Sequence, residues 1–478
     1  MERLLDQADA LLLTAGEENH PQRPDFEIPE DLLDRTAPYN LLELYENPNK
    51  GKGWRALCPI LTGTILMVSK PVAMVLDWEW DGLQGNTKSG LVDDNIMEED
   101  SENDPEPDES EINELLLLRV LQAMKENPAI WTDMIRLLYP RDEVHIQASP
   151  VWISKDDKIF MQVESIISEL DKTPELRGRG KEISQRLPLI IRYNVLSIET
   201  CPELLSFPGP TGHSSLSGSG LYYLPSFFNH DARPNVSRYA VGDVMWFVAN
   251  QDIPAGSEVC ISYLEHDILC ESAFRRNLML TLDFKEDEAE DSNGQREGPE
   301  LPVIDSEVQN ELMALAPFDR LESIEQLELQ AAGEALPEDD QPTEEDGMDA
   351  QGSPWYQCDL HNLRILKAIT LESIGQPKQA LEVWEDCVKF TEANMPPNDE
   401  SSIVMHVQAA LCAFHVNEQE LAKEHAAVAL KVHNILFGGG ISRFRRRFRS
   451  EFCLSLRPDL KNDLGQSPHD ILWPLSNC

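Results

Sequence analysis

An α+β fold is expected from two observations. Runs rich in β-branched and aromatic residues, bounded by turn residues, fall in two stretches far apart in the chain: Thr64–Ser69 with Pro71–Leu76, and Asp243–Ala249 with Glu258–Tyr263. Between and after them, apolar residues recur at helical spacing in Ile112–Tyr139, in Phe160–Leu170 and again from Cys358 onward. The organisation this predicts is an N-terminal extension over 1–36, the first part of a β domain over 37–80, an acidic loop and helical insert over 81–186, and the β core over 187–284. An acidic linker over 285–352 and a helical domain over 353–478 follow. At 478 residues the chain is long enough for two or three cores.

The first 36 residues hold a short amphipathic helix candidate and a Pro/Glu-rich connector. At Lys50-Gly51-Lys52-Gly53-Trp54-Arg55-Ala56 the character changes, and the two β-rich runs that follow meet at Lys70-Pro71. Gly51 to Ala56 formally matches G-x-G-x-x-A. A dinucleotide site needs a strand before that motif and a helix after it. Here Glu46-Asn47-Pro48-Asn49 precedes it, and Pro59, Gly63 and a β-branched run follow, so a glycine turn between strands fits better. Acids crowd Asp93–Glu111, and no Lys or Arg occurs between Lys88 and Arg119, which reads as a solvated acidic loop. In the insert, Leu117, Val120, Leu121 and Met124 share one helical face.

Pro208–Gly220, rich in Gly and Ser, reads as a flexible loop entering the β core. Its Gly212-His213-Ser214-Ser215-Leu216 lacks the second glycine of a hydrolase elbow. Beyond it, Gly220–Leu264 alternates aromatic and small residues, passes through the polar knot Asn229-His230-Asp231-Ala232-Arg233-Pro234-Asn235, and ends in two β-rich runs. Pro254-Ala255-Gly256 supplies the turn between them. After Phe284 the chain is acidic and Pro/Glu-rich, with one helix expected at Ser306–Leu315. Gly375, Ala380, Trp384 and Cys387 have the small–small–aromatic–small spacing of a tetratricopeptide helix pair, and Asn417, Ala422, Ala426 and Ala429 repeat it once. Two repeats are fewer than the three usually needed for independence, so this lobe is expected to pack on the β domain. Arg443, Arg445, Arg446, Arg447 and Arg449 form one basic cluster. It reads as a helix face paired with the chain's own acids, with a nuclear-import or partner patch as the alternative.

Composition restricts the function classes. With 85 acidic against 40 basic residues, the formal charge of -45 opposes autonomous nucleic-acid binding and favours a basic protein segment as partner. Nine cysteines without a C-x-x-C pair suit a reducing compartment and give no zinc-site spacing. Apolar runs fall far short of the roughly 20 residues of a membrane helix, and Met-Glu-Arg at the start, without a basic region or cleavage site, is unlike a secretory signal. The expected address is cytosol or nucleus.

Asn-His followed by Pro-Asn, a Gly-Asp hairpin, Asp-Ile-Pro-Ala-Gly-Ser-Glu and a short strand ending in Tyr resembles the second half of a SET domain. The likeness is to the SET-and-MYND class and to fungal proteins that join SET with tetratricopeptide-like helices. The resemblance implies a SET-type β-fold with a pseudoknot, in which the Asn229–Asn235 segment threads beneath the chain next to Tyr263. It implies transfer of a methyl group from S-adenosylmethionine to a lysine of a protein substrate, in a chain expected to be monomeric. Tyr263 matches the catalytic tyrosine. Lys52, Gly53 and Trp54 match the glycine turn that lies against the methionine end of the cofactor, where a Cβ would block close approach. Asn229 and His230 match the pair on its adenosine portion, and Phe284 an aromatic that stacks on adenine. Asn194 sits where the family has a cofactor-contacting asparagine, and a capping or turn residue fits equally.

The chain also departs from the pattern. No cysteine lies between Cys58 and Cys201, so the MYND zinc finger is absent from the insert. Asp231-Ala232 replaces the family's Ser-Cys, and Lys285-Glu286-Asp287-Glu288 stands where zinc-binding cysteines cover the lysine channel. Two readings stay open: the helical lobe substitutes for that lid, or the chain is a catalytically inactive SET-fold scaffold.

Overall fold

The computed structural model describes residues 37–38, 41–47, 50–76, 114–140, 157–200, 216–241, 244–264, 267–270, 306–331, 357–448 and 471–474. The expected N-terminal extension, the acidic loop at Asp93–Glu111, Phe284 and Lys285–Glu288 lie outside these residues. No helix among those described is long and apolar enough to cross a membrane.

Two sheets organise the β domain. The larger runs β1-β4-β10-β9-β6-β7-β5, built from β1 (Ala37–Pro38), β4 (Ile65–Ser69), β5 (Ala73–Leu76), β6 (Val195–Thr200), β7 (Leu216–Leu221), β9 (Val236–Val241) and β10 (Val244–Ala249). The smaller runs β2-β3-β11-β8, from β2 (Leu42–Asn47), β3 (Gly51–Ala56), β8 (Asn229–His230) and β11 (Glu258–Ile261). Each sheet joins strands from both halves of the chain, as the two separated β-rich stretches require. β9 and β10 pair antiparallel from Val241↔Val244 outward, so the expected Gly-Asp hairpin has its strands in place.

β7 corrects one expectation, because Leu216–Gly220 is a strand held between β5 and β6 and not a loop. Glycine is tolerated in this strand because neighbours approach too closely for a side chain. A Cβ on Gly218 would lie 2.3 Å from the Val75 carbonyl oxygen, and one on Gly220 2.8 Å from the Tyr222 ring. A second difference lies in the insert, where Ile112–Tyr139 is not one helix. The helix α1 (Glu114–Glu126) stops ahead of Pro128, which cannot continue its hydrogen-bond ladder, and tighter and looser single turns carry the chain to Leu137. The helix α2 (Asp157–Leu170) follows as expected, and α3 (Gly180–Asn194) runs through the boundary placed at 186/187 straight into β6. All three insert helices contribute buried residues to the core under the sheet, among them Leu117, Leu121, Ile167 and Ile190.

β10 joins the β domain to the C-terminal helices. Every residue of Val244–Ala249 is buried, and its two faces feed two different cores. Met245, Phe247 and Ala249 join the inner core with the insert helices, while Val244, Trp246 and Val248 pack outward. Alternation of side chains along a strand makes this division unavoidable once both faces are covered. The outer cover comes from α8 (Glu400–His415), α9 (Gln419–Leu436) and α10 (Gly440–Arg447), through Ile403, Val407, Ala429 and Phe437. The lobe therefore packs on the β domain.

Within the lobe, α6 (Gln357–Ser373) and α7 (Pro377–Asn394) form one helix pair and α8 and α9 a second, each joined by a short turn. Gly375 and Asn417, the first residues of the two matched patterns, both sit in those turns with positive φ, 79° and 69°. Ala380, Trp384, Cys387, Ala422, Ala426 and Ala429 are all buried, so the small residues lie where helices meet. Ahead of α6, two helices, α4 (Ser306–Ala314) and α5 (Pro317–Ala331), occupy part of the expected linker. Only the first of them was anticipated. Pro317 is well placed at a helix start, and Leu312 and Ile324 are buried against Leu360 and Leu363 of α6. The acidic composition masks this short apolar stripe.

Three arginines of the basic cluster, Arg443, Arg445 and Arg447, engage the protein itself. Arg443 is buried and donates from Nη1 to the Phe437 carbonyl at 2.6 Å, Arg445 donates to the Trp473 carbonyl, and Arg447 pairs with Glu400 while lying 3.7 Å over the Phe437 ring centre. Among the described residues a carboxylate, backbone carbonyls and the Phe437 and Phe448 rings engage these arginines.

Behind them His433 is fully buried against Phe437, Phe444 and Phe448. Burial, followed by the Arg447 and Arg443 charges, holds its pKa well below the ordinary histidine value. Burial likewise lowers His361 to about 4. Such a histidine takes up a proton on unfolding and not before, so stability is unaffected above about pH 6.5 and declines as pH falls below it, by up to ~1.4 kcal/mol per pH unit per group. Urea midpoints measured from pH 7.5 to 5.5 should fall with acidification, and His433→Phe should flatten the decline. An identical slope in that variant would show that His433 titrates normally in the folded protein.

Candidate active site

The smaller sheet assembles the predicted residues. β11 pairs antiparallel with β3 on one side, Glu258↔Arg55 and Val259↔Trp54, and parallel with β8 on the other, Cys260↔Asn229 and Ile261↔His230. Glycine turn and Asn-His pair, distant in sequence, therefore flank one strand, and Tyr263 follows directly at its end. Asn235 locks the junction, its Oδ1 accepting from the Cys260 N–H and its Nδ2 donating to the Glu258 carbonyl, both at 2.9 Å. The side-chain amide thus replaces a missing strand partner. The Asp231 N–H adds a bond to the Ile261 carbonyl at 3.0 Å.

Gly53 touches Asn229 directly. A Cβ at residue 53 would lie 2.5 Å from Asn229 Nδ2 and 2.8 Å from Glu258 Oε1. A side chain here would therefore force the Asn229 amide and the Glu258 carboxylate to shift. Gly51, at the β2–β3 turn, has φ +77°, and a Cβ there would meet open space. Lys52 crosses to Glu46 at 3.9 Å on the partner strand. Trp54 is buried, its indole N–H donating to the Leu224 carbonyl at 3.0 Å and its ring packed edge-on against Phe227. Side chains 52 and 54 are thus occupied by the protein itself, leaving backbone as what this strand can offer.

Asn229 is buried and donates from Nδ2 to Glu258 Oε1 at 2.7 Å. The ring of His230 accepts at Nδ1 from the Tyr263 N–H at 3.1 Å, which fixes the tautomer with its proton on Nε2. The His230 carbonyl accepts from Lys50 Nζ at 3.1 Å. Tyr263 donates its phenol proton to the Phe228 carbonyl at 2.7 Å, and its ring lies 5.5 Å from that of His230. Burial, with Cys260 and the Glu258 charge behind it, raises the phenol pKa above the ordinary value. Tyr263 is a neutral, oriented phenol at physiological pH. Burial also pushes the Cys260 thiol up to about 12, so it is no nucleophile.

Asp231, the carboxylate in place of the family's Ser-Cys, is exposed and accepts from the Arg233 N–H at 2.8 Å in a local turn. Asn194 ends α3 with Nδ2 donating to the carbonyls of Tyr139 at 2.6 Å and Ile190 at 2.8 Å. Its side-chain NH2 is thus bonded to the helix end and the insert, and its backbone carbonyl accepts from Ser226 Oγ at 3.4 Å. Phe284 lies outside the described residues.

Three residues of the site had no assigned role. Glu258 and Asn235 stand inside the quoted motif, but a carboxylate opening a strand and an asparagine after proline are ordinary in isolation. Met395, in the turn after α7, packs with Tyr263, Leu264 and Leu269, and no local pattern links it to them. A second contact from the same turn joins Asn398 Nδ2 to the Asn250 carbonyl at 2.6 Å.

The SET domain family model matches residues 51–264 of this chain. A Saccharomyces cerevisiae protein described as a potential protein lysine methyltransferase, SET6, is 28% identical over 111 residues, which make up 20% of this chain. The match spans 30% of the length of that yeast protein. A solved structure, the SET domain of LSMT bound to lysine and AdoHcy, covers 95% of this chain and 93% of that one at 12% identity, with a TM-score of 0.22 that carries no structural argument. The SET family match spans the whole β3–β11–β8 junction and ends one residue beyond Tyr263.

Proposed function

We propose that the chain is an S-adenosylmethionine-dependent protein-lysine N-methyltransferase with Tyr263 at its reacting centre. The observation that carries this reading is the convergence of the Gly51–Gly53 turn, the Asn229-His230 pair and Tyr263 around the single strand β11. The similarity to the yeast potential methyltransferase supports it.

The residues present fit such a cofactor. Open space faces Gly51, and the acceptors at hand are the Asn229 Oδ1 and the His230 carbonyl. These are acceptors for the ammonium and exocyclic amine of the cofactor, with Lys50 Nζ holding the carbonyl in the present structure. When bound, S-adenosylmethionine supplies a methyl group activated on a sulfonium, which needs neither acid nor metal to leave.

The chain has to align and deprotonate the lysine. A free lysine has a pKa of about 10.4, leaving few neutral amines at pH 7, and apolar surroundings lower that value by up to ~3–5 units. Met395, Leu264 and Leu269 place such surroundings against Tyr263. Because Met395 belongs to the helical lobe, that lobe takes part in enclosing the reacting lysine, as a tetratricopeptide-like domain replacing the zinc-bound lid. The Tyr263 hydroxyl, its proton given to Phe228, presents lone pairs to the reacting group as a fixed dipole.

Titration calorimetry tests the proposal. S-adenosylmethionine should bind the intact chain, and absence of binding at millimolar cofactor would leave a scaffold. Tyr263→Phe should retain cofactor affinity and lower labelled methyl transfer to extract proteins by about 100-fold, the usual order for losing one oriented group at a reacting centre. An unchanged rate would remove Tyr263 from the chemistry. Gly53→Ala, whose new Cβ has to displace the Asn229 amide, should weaken cofactor binding about 10-fold and lower stability by ~1–3 kcal/mol, read by calorimetry and thermal melting.

A further inference from the structure

Glu258 occupies the gap between the two halves of the site. It is half-buried at the start of β11. Its carboxylate accepts from Asn229 Nδ2 at 2.7 Å and from Asn47 Nδ2 at 3.3 Å to each oxygen. Asn47 ends β2, and its Oδ1 accepts from the Lys50 N–H at 3.3 Å, which ties down the turn leading to Gly51. A Cβ on Gly53 would stand 2.8 Å from the same carboxylate. One anionic group thus holds the glycine turn with one oxygen pair contact and Asn229 with another.

The consequence for Asn229 is a choice of orientation. A carboxamide has a donor end and an acceptor end of nearly equal size, and its surroundings decide which end faces where. An ionised carboxylate only accepts, so the NH2 of Asn229 is drawn to Glu258 and the carbonyl oxygen is turned to the opposite side. Asn229 Oδ1 takes no hydrogen bond among the described residues, so this acceptor is available to a ligand. The exocyclic amine of the adenosine portion, the part that Asn229 is expected to meet, is a donor and needs an acceptor there, and a flipped amide would meet it with N–H donors.

We propose that Glu258 is a positioning residue of the cofactor site, which fixes the Asn229 carboxamide with its oxygen toward the cofactor and braces the Gly51 turn through Asn47. This rests on the methyltransferase reading. Glu258 acts through Asn229 and Asn47 and does not itself touch the reacting atoms.

Four variants test it by calorimetry with S-adenosylmethionine, with thermal melting of each apo protein to verify folding. Glu258→Gln can present either end of its amide, so it no longer dictates the orientation of Asn229, and cofactor affinity should fall about 10-fold with little change in melting temperature. Glu258→Ala should fall at least as far. Asn229→Asp sets two carboxylates against each other and should also bind at least ~10-fold more weakly. The combination Asn229→Asp with Glu258→Gln restores the pattern, because glutamine donates to one aspartate oxygen and leaves the other facing the cofactor. That double variant should bind more tightly than Asn229→Asp alone. If Glu258→Gln and Glu258→Ala bind like the wild type, or if the double variant shows the summed losses of its two single changes, the assignment of Glu258 is overturned. Failure of the wild-type chain to bind is a separate result, which removes the methyltransferase reading and this inference with it.

Discussion

The site depends on β11 having strands on both sides. A four-residue strand is too short to hold itself, and this one is made secure by antiparallel pairing with β3, parallel pairing with β8 and the bidentate clasp of Asn235. Parallel neighbours cannot come from a tight turn, so the Asn-His segment has to reach β11 by a longer path. That path runs through β9 and β10, so the chain between the two strands that meet beside Tyr263 belongs to the larger sheet. Geometry at the centre is thus a property of the whole β domain.

Electrostatically the centre contrasts with the rest of the chain. The sequence carries a formal charge of -45, yet the hydrogen-bond partners of Tyr263 are the His230 ring, which accepts at Nδ1, and the Phe228 carbonyl. The Glu258 carboxylate faces Asn229 and Asn47. Asp231, which by sequence threatened to place a second negative charge at the centre, is exposed and bound to its own turn. The acidity of the molecule is a matter of its surface and its acidic segments.

The parts legible in the sequence were those whose meaning is local. Runs such as Ile65–Ser69 and Glu258–Ile261 declare themselves by β-branched content, and the Asn-His, Pro-Asn and strand-end Tyr markers lie within one short stretch. Contacts between distant parts of the chain decide the rest. Gly53 lies against Asn229 and Glu258, some 176 and 205 positions further on by their numbering, which no window along the chain can reveal. β7 looked like a loop because its glycines and serines have low strand preference, but preference yields where a neighbouring backbone comes within contact distance. The helix α5 hid behind its own charge, since Ile324, buried against α6, and the partly covered Leu327 dock it while composition is counted over all of its residues. Asn194 was open between two roles, and its bonds to Ile190 and Tyr139 account for the amide in helix termination.

β10 links the two lobes in a way that has a bearing on inheritance. Phe247 stacks on Phe228, the residue whose carbonyl anchors the Tyr263 hydroxyl, while Trp246, its immediate neighbour, lies under the C-terminal helices. Shortening the protein at its end would leave indole and valine side chains of this strand facing water on one side and the phenol's support on the other. A gene encoding only the front portion would therefore specify a sticky, poorly braced product, and the two regions are bound to be kept or lost together.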